Sequence, residues 1–302
     1  MDVHRGRIMN AVTNAIQDKH PAVFRILVFA ALFANLDGPY GSGGSLVMMA
    51  IVVFTGLALL ADNPRVGVTL WGIGTALLVW TLIRGYEGYA NHGFILIYFA
   101  VLITITWNVT DKEEYWRYTS NFCFFMLALL MGVALLHKLA SSYYMSGDLL
   151  GHFLIQGNIY GNLSTSFVPE FSEFSRQAAD LRAELREDYA LSQGAAVAFT
   201  VASPTMYILA MVMTYTSLAM QALVELAILM RQRIGIYLHY IIFVFVLMVY
   251  SLRHENVFLS LNCIMGYALT DERSARMRVP YVILIGWLLV SYIFGIRPLM
   301  FR

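Results

Sequence analysis

A few residues in this otherwise apolar chain carry chemistry that a lipid-facing helix does not need. They are Asp37 in NLDGPYGSGG, Asn91 and His92 in GYANHGF, His137 and Lys138 in LLHKLASSYYMSG, and His254, Glu255 and Asn256 after Arg253. An amine, imidazoles, a carboxamide and carboxylates within low-dielectric walls are the set that pulls a lysine toward neutrality, which makes Lys138 the candidate general base. Taken singly, each has a structural role as well. Lys138 can snorkel from a helix end, Asn91 and His92 can cap a helix start, and 253–256 can be a turn. Glu225 and His239 fall inside apolar stretches, where a hydrogen-bonded pair between them is expected. No HxxxH or HxxEH pair occurs, so no metal site is expected, although His92, His137 and His254 could meet in space. Cys123 and Cys263 form no CxxC pair, which sets aside disulfide scaffolds, structural zinc and dithiol redox chemistry.

The elements that hold these residues follow from composition. Of 302 residues, 59% are hydrophobic and 13% charged, and mean hydropathy is +0.65, far from a soluble domain. The net charge of +1 offers nothing to nucleic acid, which is excluded as a partner. The apolar residues come in blocks of bilayer length, so the chain is expected to be an all-α, polytopic membrane bundle. Spans are expected near 21–36, 45–61, 66–84, 91–107, 121–138, 205–230, 234–251, 256–269 and 280–296, about nine in all, with eight or ten as neighbouring solutions. Residues 1–20 form an interfacial segment, 21–140 the first five spans, and 205–302 the remainder. Between them, 141–204 is an extramembrane insert with an amphipathic helix near 174–188 and a re-entrant or interfacial helix ending at Ser203-Pro204.

Placing the N-terminus in the cytoplasm puts Arg5, Arg7, Lys19, Arg65, Lys112, Arg117, Arg231, Arg233, Arg273, Arg276 and Arg278 on that side, as the positive-inside tendency asks. The end of an odd span and the start of an even one share a face. Asp37, Asn91, His92, His137, Lys138 and His254 therefore belong to the opposite face, beneath the insert.

Asn91-His92 at a span start, followed about 45 residues later by GVALLHKLASSYYMSGDLLGHFL over 132–154, resembles the vitamin K-dependent gamma-carboxylase family and its bacterial relatives, the horizontally transferred transmembrane (HTTM) proteins. The matching residues are Asn91, His92, Lys138, Leu139, Tyr144 and Gly147, and the stretch 233–268 is similar to the family's Arg-rich turn, apolar span and His-x-x-Asn segment. The resemblance implies a quinol cofactor such as vitamin K hydroquinone, with O₂ and CO₂ as co-substrates. Lys138 would be the base, Asn91 and His92 would hold the quinol or its oxyanion, and His254 or His239 with Asn256 would form a third wall. His137, Tyr144 and Asp37 would complete the cofactor pocket. The chain carries Tyr143-Tyr144 where the family has tryptophan after Lys-Leu, and 141–192 is its only sizeable insert. A small-molecule, lipid or short-peptide substrate, or a partner chain supplying a soluble domain, is therefore expected. The alternative is a non-catalytic membrane subunit that binds lipid or pigment. Paired inverted repeats with broken helices, which a transporter would show, are not seen in the sequence.

Overall fold

The computed structural model describes residues 2–35, 41–85, 91–155, 173, 203–252 and 255–296. Every element among them is helical: α1 (Asp2–Gln17), α2 (Pro21–Ala34), α3 (Gly41–Leu60), α4 (Pro64–Gly85), α5 (Asn91–Thr106), α6 (Lys112–Ala140), α7 (Ser142–Met145) and α8 (Asp148–Ile155). Then follow α9 (Pro204–Leu229), α10 (Arg231–Ile234), α11 (Tyr237–Leu252), α12 (Asn256–Leu269), a single 3-10 turn at Ala275–Met277 and α13 (Arg278–Ile293). The amphipathic helix expected near 174–188 and the re-entrant helix before Ser203 lie outside the described residues.

Helix starts follow local chemistry. Pro21 and Pro204 occupy first-turn positions where no backbone N–H is missed, and the side chains of His20 and Ser203 accept from the N–H groups of Ala22 and Met206. In α6, Glu113 and Glu114 sit in the first turn and His137 and Lys138 in the last, matching the helix dipole. Four helical stretches, Pro64–Arg84, Lys112–Ala140, Pro204–Leu229 and Ala275–Ile293, are long and apolar enough to cross a membrane; Pro21–Ala34, Leu46–Leu60, Gly93–Thr106, Tyr237–Ser251 and Asn256–Leu269 are shorter apolar helices. Leu60, Ile83 and Phe125 are largely exposed, as residues facing lipid would be.

The chain divides into two compact units. The first comprises residues 1–127, 235–243 and 255–296, and the second 128–234, 244–254 and 297–302, so that α6 and α11 each contribute to both. The core of the first unit is aromatic. Phe24 on α2 meets the edges of Phe99 at 5.8 Å and Trp116 at 5.9 Å between ring centroids. Polar side chains there bond to nearby backbone or to each other: Trp71 Nε1 donates to Ala100 O at 3.0 Å, and the Thr75 and Thr104 hydroxyls lie 3.1 Å apart.

The turn joining α1 to α2 is densely bonded. Lys19 takes φ +52°, and its N–H bonds to Ile16 O while that of His20 bonds to Ala15 O, the paired closure of a Schellman motif. Glycine is the usual residue at that position, and a lysine there costs about 1 kcal/mol or more. Side-chain contacts offset the cost. The buried Lys19 Nζ donates to Ala268 O at 2.8 Å and Thr270 O at 2.7 Å, capping the end of α12, and lies 4.3 Å from the Trp116 ring centroid. Trp116 Nε1 returns a bond to Lys19 O at 2.6 Å. Arg278 closes the cluster by donating to Gln17 O, to Asp271 O and to the Glu272 carboxylate. Partial burial raises the Asp271 carboxyl, but hydrogen bonds from Ser274 outweigh it and hold the group below its ordinary value.

Candidate functional site: a polar seam along α6 and α9

The second unit contains the candidate base. Lys138, in the last turn of α6, is half-buried, and its Nζ donates to Ser217 Oγ on α9 at 3.2 Å. The same nitrogen lies 5.2 Å from the centroid of the Tyr144 ring. Tyr144 is placed by its own sequence. Ser141 caps the short helix α7 by accepting from the Tyr144 N–H at 3.2 Å, which folds the chain back directly after α6 and leaves the ring 4% exposed. Burial pushes the Tyr144 phenol above its ordinary value, opposed by the Ser217 hydroxyl, so it remains a neutral donor at physiological pH.

Ser217 belongs to a stripe. Thr214, Ser217, Gln221 and Glu225 follow one another at helical spacing along α9, an otherwise apolar helix of 26 residues. Opposite them runs the second half of α6. Gln221 Nε2 donates to Met131 O at 3.2 Å, and Gly132 leaves just enough room for the Glu225 carboxylate, which a Cβ at that position would approach to 3.4 Å. With 138 against 217 and 131 against 221, the two helices run antiparallel along this seam.

The seam is not saturated. Thr214 Oγ1, Gln221 Oε1 and Glu225 Oε2 are buried without a hydrogen-bond partner. Each such atom costs about 1–3 kcal/mol when left unmatched, a sum that a bound polar group would recover. Ammonium, phenol and hydroxyl donors therefore stand at the Lys138 end of the seam, and carbonyl and carboxylate acceptors stand at the other. The ends are separated by roughly 12 Å along α9, at about 1.5 Å per residue over 217–225.

The other sequence-derived candidates are placed as follows. His137 is exposed on α6. Asn91 and His92 open α5 as expected, with side chains outside the described set, and Asp37 and His254 lie outside the described residues altogether. In the first unit, Asn256 is fully buried and donates to Leu288 O at 3.0 Å, tying α12 to α13. His239 Nδ1 lies 3.1 Å from the Tyr281 hydroxyl, so the hydrogen bond expected toward Glu225 is made to a tyrosine instead. Among the described residues no group of three or more His, Cys, Asp or Glu is placed to hold a metal ion. Thr214, Ser217 and Gln221 were not among the candidates from sequence, although their spacing with Glu225 was there to be read.

Compared with family models, with curated proteins and with solved structures, the chain matches none.

Proposed function

We propose that the chain is a multi-pass membrane protein of the carboxylase-like, HTTM type, and that the seam between α6 and α9 binds a quinol- or lipid-sized amphiphile, with Lys138 as its cationic contact. The observation that carries this reading is the combination of a restrained ammonium donor and three buried, unmatched polar atoms on the same pair of helices. In it the five shorter apolar helices cross the membrane beside the four long ones, making nine spans, with the N-terminus cytoplasmic. The bonds from Lys19 and Arg278 that join the α1–α2 turn to the α12–α13 turn support placing both turns on one face, which suits that orientation.

The amphiphile's oxygen accepts from Lys138 and the Tyr144 phenol, and its apolar body lies against lipid-facing side chains. In the catalytic form of the proposal the ligand is a quinol, Lys138 takes the quinol proton, O₂ oxidises the quinol, and CO₂ replaces a proton on a carbon of a small-molecule, lipid or short-peptide substrate. The non-catalytic form, a lipid- or pigment-binding subunit, is favoured by one specific feature: the aromatic face of Tyr144, one of the groups Lys138 meets, suits an ammonium better than a free base.

Quinol-dependent O₂ uptake separates the two forms. Purified protein supplied with vitamin K hydroquinone and bicarbonate consumes O₂ if the catalytic form holds, and Lys138→Ala lowers the rate by about a hundredfold, the usual yield of a positioned base. Uptake equal to the protein-free background excludes catalysis on this quinol. Uptake equal in wild type and Lys138→Ala excludes Lys138 as the base.

A further inference from the structure

The first unit holds a separate cluster of buried donors. Arg25, one turn into α2, stacks its guanidinium carbon 4.2 Å over the Trp107 ring and 5.7 Å from the Tyr115 ring centroid. One terminal nitrogen donates to Trp107 O at 3.0 Å. Among the described residues no carboxylate pairs with it, and its Nε is buried without an acceptor. Tyr115 and Thr119, one turn apart on α6, are both 0% exposed. Their hydroxyls are also buried without a well-formed hydrogen bond, and the Tyr115 hydroxyl has only loose contacts, with Arg25 and Thr119.

A lone guanidinium at the edge of a span is normally neutralised by a carboxylate or released to water. Here the guanidinium lies over the Trp107 ring with the Tyr115 ring nearby, and its Nε is buried. Guanidinium N–H groups in a planar fork, a phenol and an alcohol make a cluster of donors with net positive charge, and such a set recognises an oxyanion.

We infer that Arg25, Tyr115 and Thr119 form a binding site for a phosphate oxyanion, with Trp107 holding the guanidinium in place. The phosphate is either the phosphodiester of a membrane lipid headgroup or a free phosphate. Arg25 lies in the second turn of α2, near the end of a proposed span, a depth that a headgroup reaches.

The test uses the full chain in dodecyl maltoside after exhaustive delipidation. Inorganic phosphate raises the thermal unfolding midpoint over potassium chloride of equal ionic strength if free phosphate binds. Mixed micelles containing phosphatidylglycerol, scored by phospholipid retained per protein, report the headgroup. In whichever arm responds, Arg25→Gln weakens the response about tenfold, the effect of losing charge-assisted hydrogen bonds. Arg25→Lys, which keeps the charge but not the fork, loses most of it. Should Arg25→Gln fail to fold, Tyr115→Phe with Thr119→Val removes two donors at little cost in volume and weakens the same response. No phosphate effect and no retained phospholipid in wild type overturns the site, as does a response that all the variants share.

Discussion

Gly266→Ala destabilises the protein by roughly 3 kcal/mol, the upper end of what overpacking a tight core costs. The new Cβ would lie 2.5 Å from Cζ and the hydroxyl oxygen of Tyr281 and 2.6 Å from Cε1, all within a rigid ring. Tyr281 has no room to retreat. It is fully buried, its hydroxyl is 3.1 Å from His239 Nδ1, and the Phe243 ring packs at a tilt 4.7 Å away between centroids. The methyl group therefore has to move α12 away from α13, and with it the buried Asn256 bond to Leu288 O. Gly286→Ala on α13 is the matched control, because nothing lies within 4 Å of its Cβ position. That substitution is neutral or gains a few tenths of a kcal/mol up to about 1 kcal/mol from helix propensity. Thermal midpoints of the two variants in one detergent check the contrast, and equal midpoints would refute the close approach of α12 and α13.

The second large effect is a dependence of stability on pH that has the sign of an acid-labile salt bridge but falls above neutrality instead of in the acid range. Burial, and then the nearby Arg278 guanidinium, lower the Lys19 amine from 10.5 to about 7, while Cys123, Asp271 and Glu272 pull the other way. Below about pH 7 the amine is protonated in both folded and unfolded chains, so the full cost of burying the ammonium is present. Between about 7 and 10.5 the unfolded chain binds the proton and the folded one releases it, so stability rises with pH through that window. The gain is on the order of a few kcal/mol. Either form of the amine keeps two N–H groups for Ala268 O and Thr270 O, so the cap on α12 survives deprotonation and only the contact with Trp116 weakens. The unfolding midpoint therefore climbs between pH 6 and 9 in wild type, and Lys19→Met removes most of that slope whatever it does to stability at a single pH. A slope unchanged by Lys19→Met would assign the titration elsewhere.

Helix positions were largely legible because hydropathy, proline and capping residues act locally. Pro21, Pro64 and Pro204 open helices within a residue or two of where the apolar blocks begin. The largest departure is α6, expected over 121–138 and found from Lys112: hydropathy measures the apolar stretch, whereas a helix with Glu113 and Glu114 in its first turn continues beyond it. Lys138 and Tyr144 were legible together because one turn of chain joins them. Ser217 was not, since its contact with Lys138 spans 79 residues and exists only once α6 packs on α9. Lys19 shows the same limit more sharply. As a sequence feature it is one basic residue among several in polar turns, and its burial depends on carbonyls 249 and 251 residues away. His239 was expected to seek a carboxylate within the membrane, but a tyrosine hydroxyl meets the same need without burying a charge.

The central claim is that the seam of Lys138, Tyr144, Ser217, Gln221 and Glu225 holds an amphiphile. Organic extraction of the washed, purified protein, followed by mass spectrometry against Lys138→Ala prepared identically, tests it most directly. The account predicts a quinone or lipid retained near one per wild-type chain and reduced about tenfold in Lys138→Ala, the cost of removing one charge-assisted contact. Equal amounts in both proteins, or none in either, would contradict it.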